Sequence, residues 1–149
     1  MNHTMLSPEI IEVTSPEAKW MEAVNLLLPE LSERAKPLTQ SQWEDLIGNP
    51  ASRLFLLRCG SEICGMLTLG RYPAPTGWKC WIEDVVISAL HRGKGYGRLL
   101  VEHAIRIGTQ NDTTLMLTSK PARKAANALY RSAGFSLKET NVYVKRENE

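Results

Sequence analysis

The stretch WIEDVVISALHRGKGYGRLLVEHAIRIG, which runs from Trp81 to Gly108, decides the fold of this chain. Its first part is an apolar run with two adjacent acids, and together with the preceding residues it predicts a strand over 78–87. Its last part has apolar residues at helical spacing and predicts a helix over 93–107. A basic, glycine-rich segment joins the two elements, so we expect a ligand to bind there through bare main-chain amides.

The joining segment has the properties of a phosphate-binding turn. Its glycines permit positive φ angles and allow a ligand to approach the main chain closely. The amides in the first turn of a helix have no partner within the helix, and the helix dipole adds about half a positive charge there. A glycine-rich turn with solvated charges is the alternative. The residues of this candidate cradle are Arg92, Gly93, Lys94, Gly95, Tyr96, Gly97 and Arg98.

Two common nucleotide-binding motifs are absent from the sequence. A Walker A loop requires GxxxxGK[ST], and no stretch satisfies that spacing. A Rossmann fingerprint that starts at Gly93 or Gly95 would need a third glycine where Arg98 and Leu100 stand. Spacing alone therefore predicts only that an anion of about diphosphate size binds at a strand–helix junction.

The remaining pattern predicts a single α+β domain over 1–149, with a mixed, mostly antiparallel sheet of about six to seven strands and about four helices. Helix-start signals stand at Ser15 and Thr39, Pro29 should end the first helix, and Gly134 should close the last one. The segment 71–78 is rich in proline and glycine and is expected to be a loop. The further predicted elements are strands over 10–13, 52–59, 62–70, 113–118, 135–137 and 142–145 and a helix over 122–133.

Composition excludes several classes of function. The 149 residues suit one domain, and a formal net charge of +2 is too small to favour nucleic acid as a partner. The apolar runs are too short to span a bilayer and the first residues carry no export signal, so we expect a cytoplasmic protein without a membrane partner. The histidines are scattered, and no metal site is expected.

The three cysteines show no paired CxxC spacing. Cys59 and Cys64 flank the turn of the hairpin predicted over 52–70. In that hairpin Cys59 would face Glu62 and Cys64 would face Leu57, so the two are not natural disulfide partners. Together with Cys80, they are expected to be packed free thiols.

Two motifs resemble the GNAT superfamily of N-acetyltransferases. RGKGYG, from Arg92 to Gly97, matches the superfamily signature R/Q-x-x-G-x-G/A at its strand–loop–helix junction, and WIEDVVI resembles its fourth strand. RKAANALYRSAGF, which ends at Phe135, resembles its later A-N-x-L-Y-x-x-x-G-F segment. The likeness is strong over 78–135 and rests on the order of elements elsewhere. It implies the GNAT fold, in which the fourth and fifth strands splay apart.

The resemblance implies acetyl-CoA as a co-substrate. Its pyrophosphate would lie on the amides of 92–98, and its pantetheine arm would run along Val85, Val86 and Ile87 in the gap between the splayed strands. A strand amide near Val86 would polarise the thioester carbonyl. Asn127 resembles the residue that hydrogen-bonds the pantetheine amides, and a solvated surface asparagine is the alternative.

Acetyl transfer to an amine requires a base, because an alkylammonium has a pKa near 10. Glu83 and Asp84 are the candidates, and strand alternation would put them on opposite faces, so that one of them faces the substrate. The resemblance favours Glu83, acting through water, with Asp84 as the second candidate. An acid that only orders the strand or pairs with arginine is the third possibility.

Tyr130 is a candidate general acid. From the residues alone it is a half-buried aromatic on an amphipathic helix. The resemblance implies instead that it lies near the sulfur of CoA and protonates the departing thiolate. Because no cysteine lies in a motif for an acetyl-enzyme, direct transfer in a ternary complex is expected.

The acceptor is left open. The leading prediction is a primary amine of a small molecule, and a protein lysine or N-terminus is the alternative. A non-catalytic CoA-binding sensor and a nucleic-acid module are more distant alternatives, and the oligomeric state is undetermined, a homodimer included. The residues that the resemblance puts on the acceptor side are Glu30, Glu33, Tyr72, Trp78 and Tyr143.

Overall fold

The computed structural model describes residues 7–148, and within them the chain forms one five-stranded sheet. The first four strands pair antiparallel in chain order, and the fourth and fifth pair parallel. A mixed, mostly antiparallel sheet is therefore confirmed, with five strands instead of the predicted six or seven. The strands are β1 (Glu9–Val13), β2 (Ser52–Cys59), β3 (Glu62–Ala74), β4 (Gly77–Ile87) and β5 (Thr114–Met116).

The two closing strands predicted over 135–137 and 142–145 are not formed. The apolar side chains on which that prediction depended face solvent, with Leu137 88% exposed and Tyr143 87% exposed. A β-branched, alternating pattern stabilises a strand only where a neighbouring strand supplies hydrogen bonds and a packed face. The sequence pattern therefore identified residues that suit a strand, but the prediction that these residues pair into a sheet was wrong.

The predicted loop over 71–78 is instead the end of a long hairpin. β3 and β4 stay paired through Tyr72–Lys79, Pro73–Trp78 and Ala74–Gly77, and the connection shrinks to residues 75–76. Pro73 is tolerated because β2 begins opposite Gly70, so this part of β3 has no β2 residue beside it.

Four α-helices lie within residues 7–148, as predicted. Two short 3₁₀ turns, Ala89–His91 and Gln110–Asp112, flank the third of them. The helices are α1 (Ala18–Leu31), α2 (Gln40–Gly48), α3 (Tyr96–Gly108) and α4 (Lys124–Ser132).

The boundaries of α1 differ from the prediction at both ends. Glu17 occupies the N-cap position, and the Ser15 hydroxyl donates to the Glu17 carboxylate instead of capping the helix. Pro29 lies inside the last turn and removes one N–H donor there. The helix nevertheless continues to Leu31, whose side chain packs with Leu28 against the core.

Two other helix ends follow their local signals. The Thr39 hydroxyl accepts from the Gln42 amide and the Gln42 side chain accepts from the Thr39 amide, which forms a capping box at the start of α2. Gly134 has a φ of 105°, and the Phe135 amide donates to the Tyr130 carbonyl at 3.0 Å. This is the Schellman arrangement that closes α4.

The sheet carries helices on both of its faces. Side chains of β1–β4 form one core with Val24 and Leu27 of α1 and the fully buried Trp43 of α2. On the opposite face Leu100 of α3 reaches within 3.2 Å of the position that a Cβ on Gly65 would take. No helix among the described residues is long and apolar enough to cross a membrane.

The chain divides into two compact units, one that ends at Thr118 and one that begins at Ser119. The first unit contains the whole sheet with α1, α2 and α3, and the second contains α4 and the segment that follows it. The prediction of one domain over 1–149 stays a prediction.

Candidate active site

The second half of β4 has an open edge. β5 pairs with β4 at Lys79, Cys80 and Trp81, and within the described part of the chain no β5 residue lies beside β4 after that point. On its other side β4 remains paired with β3 as far as Ile87. The early end of the β4–β5 ladder agrees with the predicted splaying of these two strands, and it leaves main-chain groups without a strand partner.

The hydrogen-bond pattern shows which of these groups face the open edge. The Ser88 amide donates to the Cys64 carbonyl at 2.8 Å, which makes Gly65 and Ile87 a non-hydrogen-bonded pair. The N–H and C=O of Ile87 therefore point away from β3, while those of Val86 point toward it. Arg92 Nε donates to the Ile87 carbonyl at 3.2 Å, so the first residue of the cradle is tied to the end of β4.

A β-bulge in β4 lies between Glu83 and Val86 and includes Asp84. Glu83 pairs with Thr68 but Val86 pairs with Met66, so β4 contains one residue more than β3 here. Asp84 adopts a φ of 51°, a left-handed conformation that costs a non-glycine residue about 1–2 kcal/mol. The bulge interrupts strict alternation after Glu83, so the prediction that the two acids lie on opposite faces stays a prediction. Both residues are partly accessible to solvent.

The surroundings of Glu83 make it a stronger base than an ordinary glutamate. Partial burial raises the pKa of its carboxyl, and the negative charge of Asp84 raises it further. A carboxylate whose pKa lies nearer to neutrality accepts a proton from an ammonium group more readily.

The helix that follows the cradle glycines begins later than predicted. Gly93 and Gly95 both adopt a φ of 80°, so the helix predicted from 93 begins only at Tyr96, with Gly95 as its N-cap. Gly97 lies in the first turn of α3. A Cβ added at Gly93 or Gly95 would meet nothing within 4 Å, so the backbone angle requires glycine at these positions and the space above them is open.

The basic side chains of the cradle have different surroundings. Lys94 is exposed, and its ammonium group lies 6.0 Å from the centre of the Tyr96 ring. Arg98 forms an i,i+4 ion pair with Glu102 at 3.3 Å. Part of the positive charge expected at the cradle is therefore compensated within α3.

Side chains remote in sequence hold the segment between β4 and α3. A carboxylate oxygen of Glu30 in α1 accepts from the Ala89 amide at 2.6 Å. His91 contacts the Ser88 hydroxyl at 2.7 Å and the Glu62 carboxylate at 3.1 Å. The sequence carries no local signal for these contacts. Glu30, considered above as an acceptor residue, contacts the segment before the cradle.

Two thiols lie next to the cradle. Cys59 pairs with Glu62 as predicted, but a bulge makes Leu57 pair with Gly65, so Cys64 does not face Leu57 in the ladder. The Sγ atoms of Cys59 and Cys64 are 3.5 Å apart, and both thiols are free. A hydrogen bond between the Cys59 thiol and the Tyr96 hydroxyl raises the pKa of Tyr96, which connects this pair to the start of α3.

The other predicted site residues lie in the unit that begins at Ser119. Tyr130 is 8% exposed, and its ring packs edge to face with Phe135 at 6.0 Å. Burial raises the pKa of its hydroxyl, so Tyr130 is protonated and able to donate at neutral pH. The side-chain amide of Asn127 donates to the Lys120 carbonyl at 3.0 Å.

The chain belongs to the acetyltransferase (GNAT) family, which matches residues 20–135. That span includes β4, the cradle and α4. No curated protein matches the sequence. Within the described residues, no group of histidine, cysteine and acidic side chains could hold a metal ion.

Solved structures share the fold over nearly the whole chain. An aminoglycoside acetyltransferase from an uncultured soil sample has a TM-score of 0.82 at 14% identity, over 95% of this chain and 97% of its own. AAC(6')-Iy in complex with a CoA bisubstrate analogue has a TM-score of 0.79 at 13% identity, over 95% and 99%. A ribosomal-protein-alanine N-acetyltransferase from Brucella melitensis has a TM-score of 0.75 at 18% identity, over 95% and 100%.

The thiol environment predicts a specific labelling pattern. Burial and the neighbouring Cys59 raise the pKa of Cys64 to about 12, so about one thiol in ten thousand is ionised at pH 8. Burial raises the pKa of Cys80 as well. We expect an aromatic disulfide reagent to modify at most Cys59 rapidly in the native protein and all three thiols in denaturant. Cys59→Ser should abolish the fast phase, and rapid reaction of two thiols in the native protein would contradict this assignment.

Proposed function

We propose that this protein transfers an acetyl group from acetyl-CoA to a primary amine of a small molecule, directly within a ternary complex. The observation that carries the proposal is the open edge of β4, which leads into a turn with two left-handed glycines at the start of α3. Such an edge offers main-chain groups to an extended ligand, and the turn offers amides to an anion.

Acetyl-CoA fits this arrangement because its pantetheine arm needs main-chain hydrogen-bond partners and its pyrophosphate needs amide donors. The pantetheine arm contains amides, and the main chain at Val85 and Ile87 would pair with it at the open edge. The pyrophosphate would lie on the amides of 92–98, where the open space above Gly93 and Gly95 leaves room for it. When bound, acetyl-CoA supplies the activated acetyl thioester.

The acids and donors of the chain have complementary roles. Glu83 takes a proton from the acceptor ammonium through a water molecule, and Asp84 is the second candidate. A main-chain N–H on the open edge of β4 stabilises the negative charge that develops on the carbonyl oxygen. Tyr130 gives its proton to the departing thiolate, and Asn127 binds the pantetheine amides.

Proteins that share the fold support the proposed acceptor class. One of them is an aminoglycoside acetyltransferase, and another is a ribosomal-protein-alanine N-acetyltransferase. Sequence identities of 14% and 18% establish a shared fold and not a shared acceptor. Acetylation of a protein lysine or N-terminus therefore stands as the second candidate function. The first experiment therefore includes both small-molecule amines and peptides as acceptors.

That experiment measures the release of free CoA thiol from acetyl-CoA across alkylamines, amino sugars and lysine- or N-terminal peptides. Turnover on small amines supports the proposal, and turnover restricted to peptides supports the second candidate. Binding of acetyl-CoA by calorimetry without turnover on any amine would overturn catalysis in favour of a CoA-binding sensor. No binding at all would overturn the cradle assignment too.

Replacing Gly95 tests the cradle. Gly95→Ala forces a Cβ into a φ of 80°, which costs about 1–2 kcal/mol or shifts the turn away from the ligand. We expect acetyl-CoA to bind about tenfold more weakly by calorimetry, equivalent to about 1.4 kcal/mol. Gly48→Ala is the matched control, because its Cβ also enters open space but without the strained angle. Equal affinity in both variants argues against the cradle.

Replacing Glu83 tests the base. We expect Glu83→Gln to lower kcat/KM about 100-fold at pH 7, with a smaller loss at higher pH where free amine is plentiful. Asp84→Asn is the matched control, and the reverse result in these two variants would make Asp84 the base.

The raised pKa of Glu83 also predicts the effect of the same variant on stability. A carboxyl whose folded pKa is raised stabilises the fold while it is neutral, and that contribution is lost as pH rises through the folded pKa. Glu83→Gln cannot ionise, so it should be at least as stable as the wild type at pH 7. Thermal unfolding should show this difference vanish below about pH 4.

Replacing Tyr130 separates a catalytic hydroxyl from a packing ring. Tyr130→Phe keeps the buried ring, so unfolding should change by less than about 1 kcal/mol. If the hydroxyl protonates the thiolate, kcat should fall about 10- to 100-fold while acetyl-CoA affinity stays the same. Full kcat in this variant assigns the residue to packing.

A further inference from the structure

An aromatic pair stands on one face of the hairpin that carries Glu83. Trp81 pairs with Gly70 and Tyr72 pairs with Lys79, which makes Tyr72 and Trp81 diagonal neighbours on the same face. The Trp81 indole N–H donates to the Tyr72 hydroxyl at 3.2 Å, and Tyr72 is 47% exposed. We call this hydrogen-bonded pair the aromatic shelf.

The aromatic shelf and Glu83 share a face of the sheet. Trp81 and Glu83 are two positions apart in β4, before the bulge, so their side chains project to the same side about 7 Å apart. The partner of Glu83 is Thr68, which lies two positions from Met66, a member of the core under α1 and α2. The shelf is therefore on the α1 and α2 side of the sheet.

The backbone opposite Trp81 leaves open space on the face of the aromatic shelf. Gly70 lies directly opposite Trp81, and a Cβ on Gly70 would meet nothing within 4 Å. Thr68, the next residue of β3 on this face, is partly exposed. A flat group could rest over Gly70 against the indole of Trp81.

We propose that the aromatic shelf binds a ring carried by the acceptor, so that the acceptor is a primary amine joined to a ring by a short tether. This inference rests on the proposed acetyl transfer at Glu83. A ring stacked on Trp81 would place an amine on such a tether at the Glu83 carboxylate, because the two side chains are about 7 Å apart. Aromatic faces bind flat or apolar rings through stacking.

A neighbouring positive charge restricts the class of acceptor further. Lys79 pairs with Tyr72 and shares the face of the shelf, at the end remote from Glu83. A second ammonium group on the ring would approach Lys79, which favours a monoamine over a polyamine. Trp78, considered above as an acceptor residue, is 42% exposed, and the Arg71 guanidinium lies 3.8 Å from its ring centre.

The first test compares amines that differ in the ring. The probes are 2-phenylethylamine, 6-amino-6-deoxyglucose and n-propylamine, with acetyl-CoA as donor. We expect kcat/KM to be highest for a ring-bearing amine, and Trp81→Leu to lower that value about tenfold without changing the value for n-propylamine or the KM of acetyl-CoA. The two ring probes distinguish an aromatic ring from a sugar ring.

Trp78→Leu is the matched control, because Trp78 lies on the opposite face and is stacked with Arg71. It should leave the ring preference unchanged. A ring preference that survives Trp81→Leu, or the absence of any ring preference in the wild type, would overturn the aromatic shelf as an acceptor site while leaving acetyl transfer intact.

The second test does not depend on turnover. In the absence of acetyl-CoA, 2-phenylethylamine should shift the indole N–H resonance of Trp81, which Trp81→Leu identifies by its loss from the NMR spectrum. A shift without acetylation of any amine supports ring binding and overturns the proposed transfer. Acetylation of 2-phenylethylamine without a shift at saturating amine overturns ring binding at Trp81.

Discussion

The end of the β4–β5 ladder at Trp81 is the constraint on which the rest of the site depends. If β5 continued beside β4, the Ile87 N–H would be used by a strand of the same sheet. Because β5 spans three residues, this N–H faces an open edge immediately before the cradle. The hydrogen bond from Arg92 to the Ile87 carbonyl holds that edge and the cradle together.

β4 combines three functions that a regular strand could not perform together. Its first part pairs on both sides and supports Trp81, its middle carries Glu83, and its end offers main-chain donors. The bulge at Asp84 separates these parts at a local cost of about 1–2 kcal/mol. Strained backbone of this kind persists where surrounding structure holds it, here the β3 pairing on both sides of the bulge.

Short-range signals in the sequence predicted the features that short-range contacts determine. The helix start at Thr39 and the glycine closure at Gly134 each involve residues within a few positions of one another, and both were predicted correctly. The bulge at Asp84, the contact between Glu30 and Ala89, and the unpaired segment after α4 depend on distant partners. Alternation and composition do not encode such partners, which explains the error in strand number.

The difference between features set by neighbouring residues and features set by distant partners also applies to the two substrates of the proposed reaction. Main-chain groups would bind the acetyl donor, and glycines at fixed spacing are enough to expose them, so a short motif can indicate the donor. Side chains would bind the acceptor, and Tyr72 meets Trp81 only because the β3–β4 register brings them together. A change of register by one residue would turn one of the two to the other face of the sheet. On this proposal, acceptor specificity would depend on strand pairing, which the glycine-rich motif does not encode.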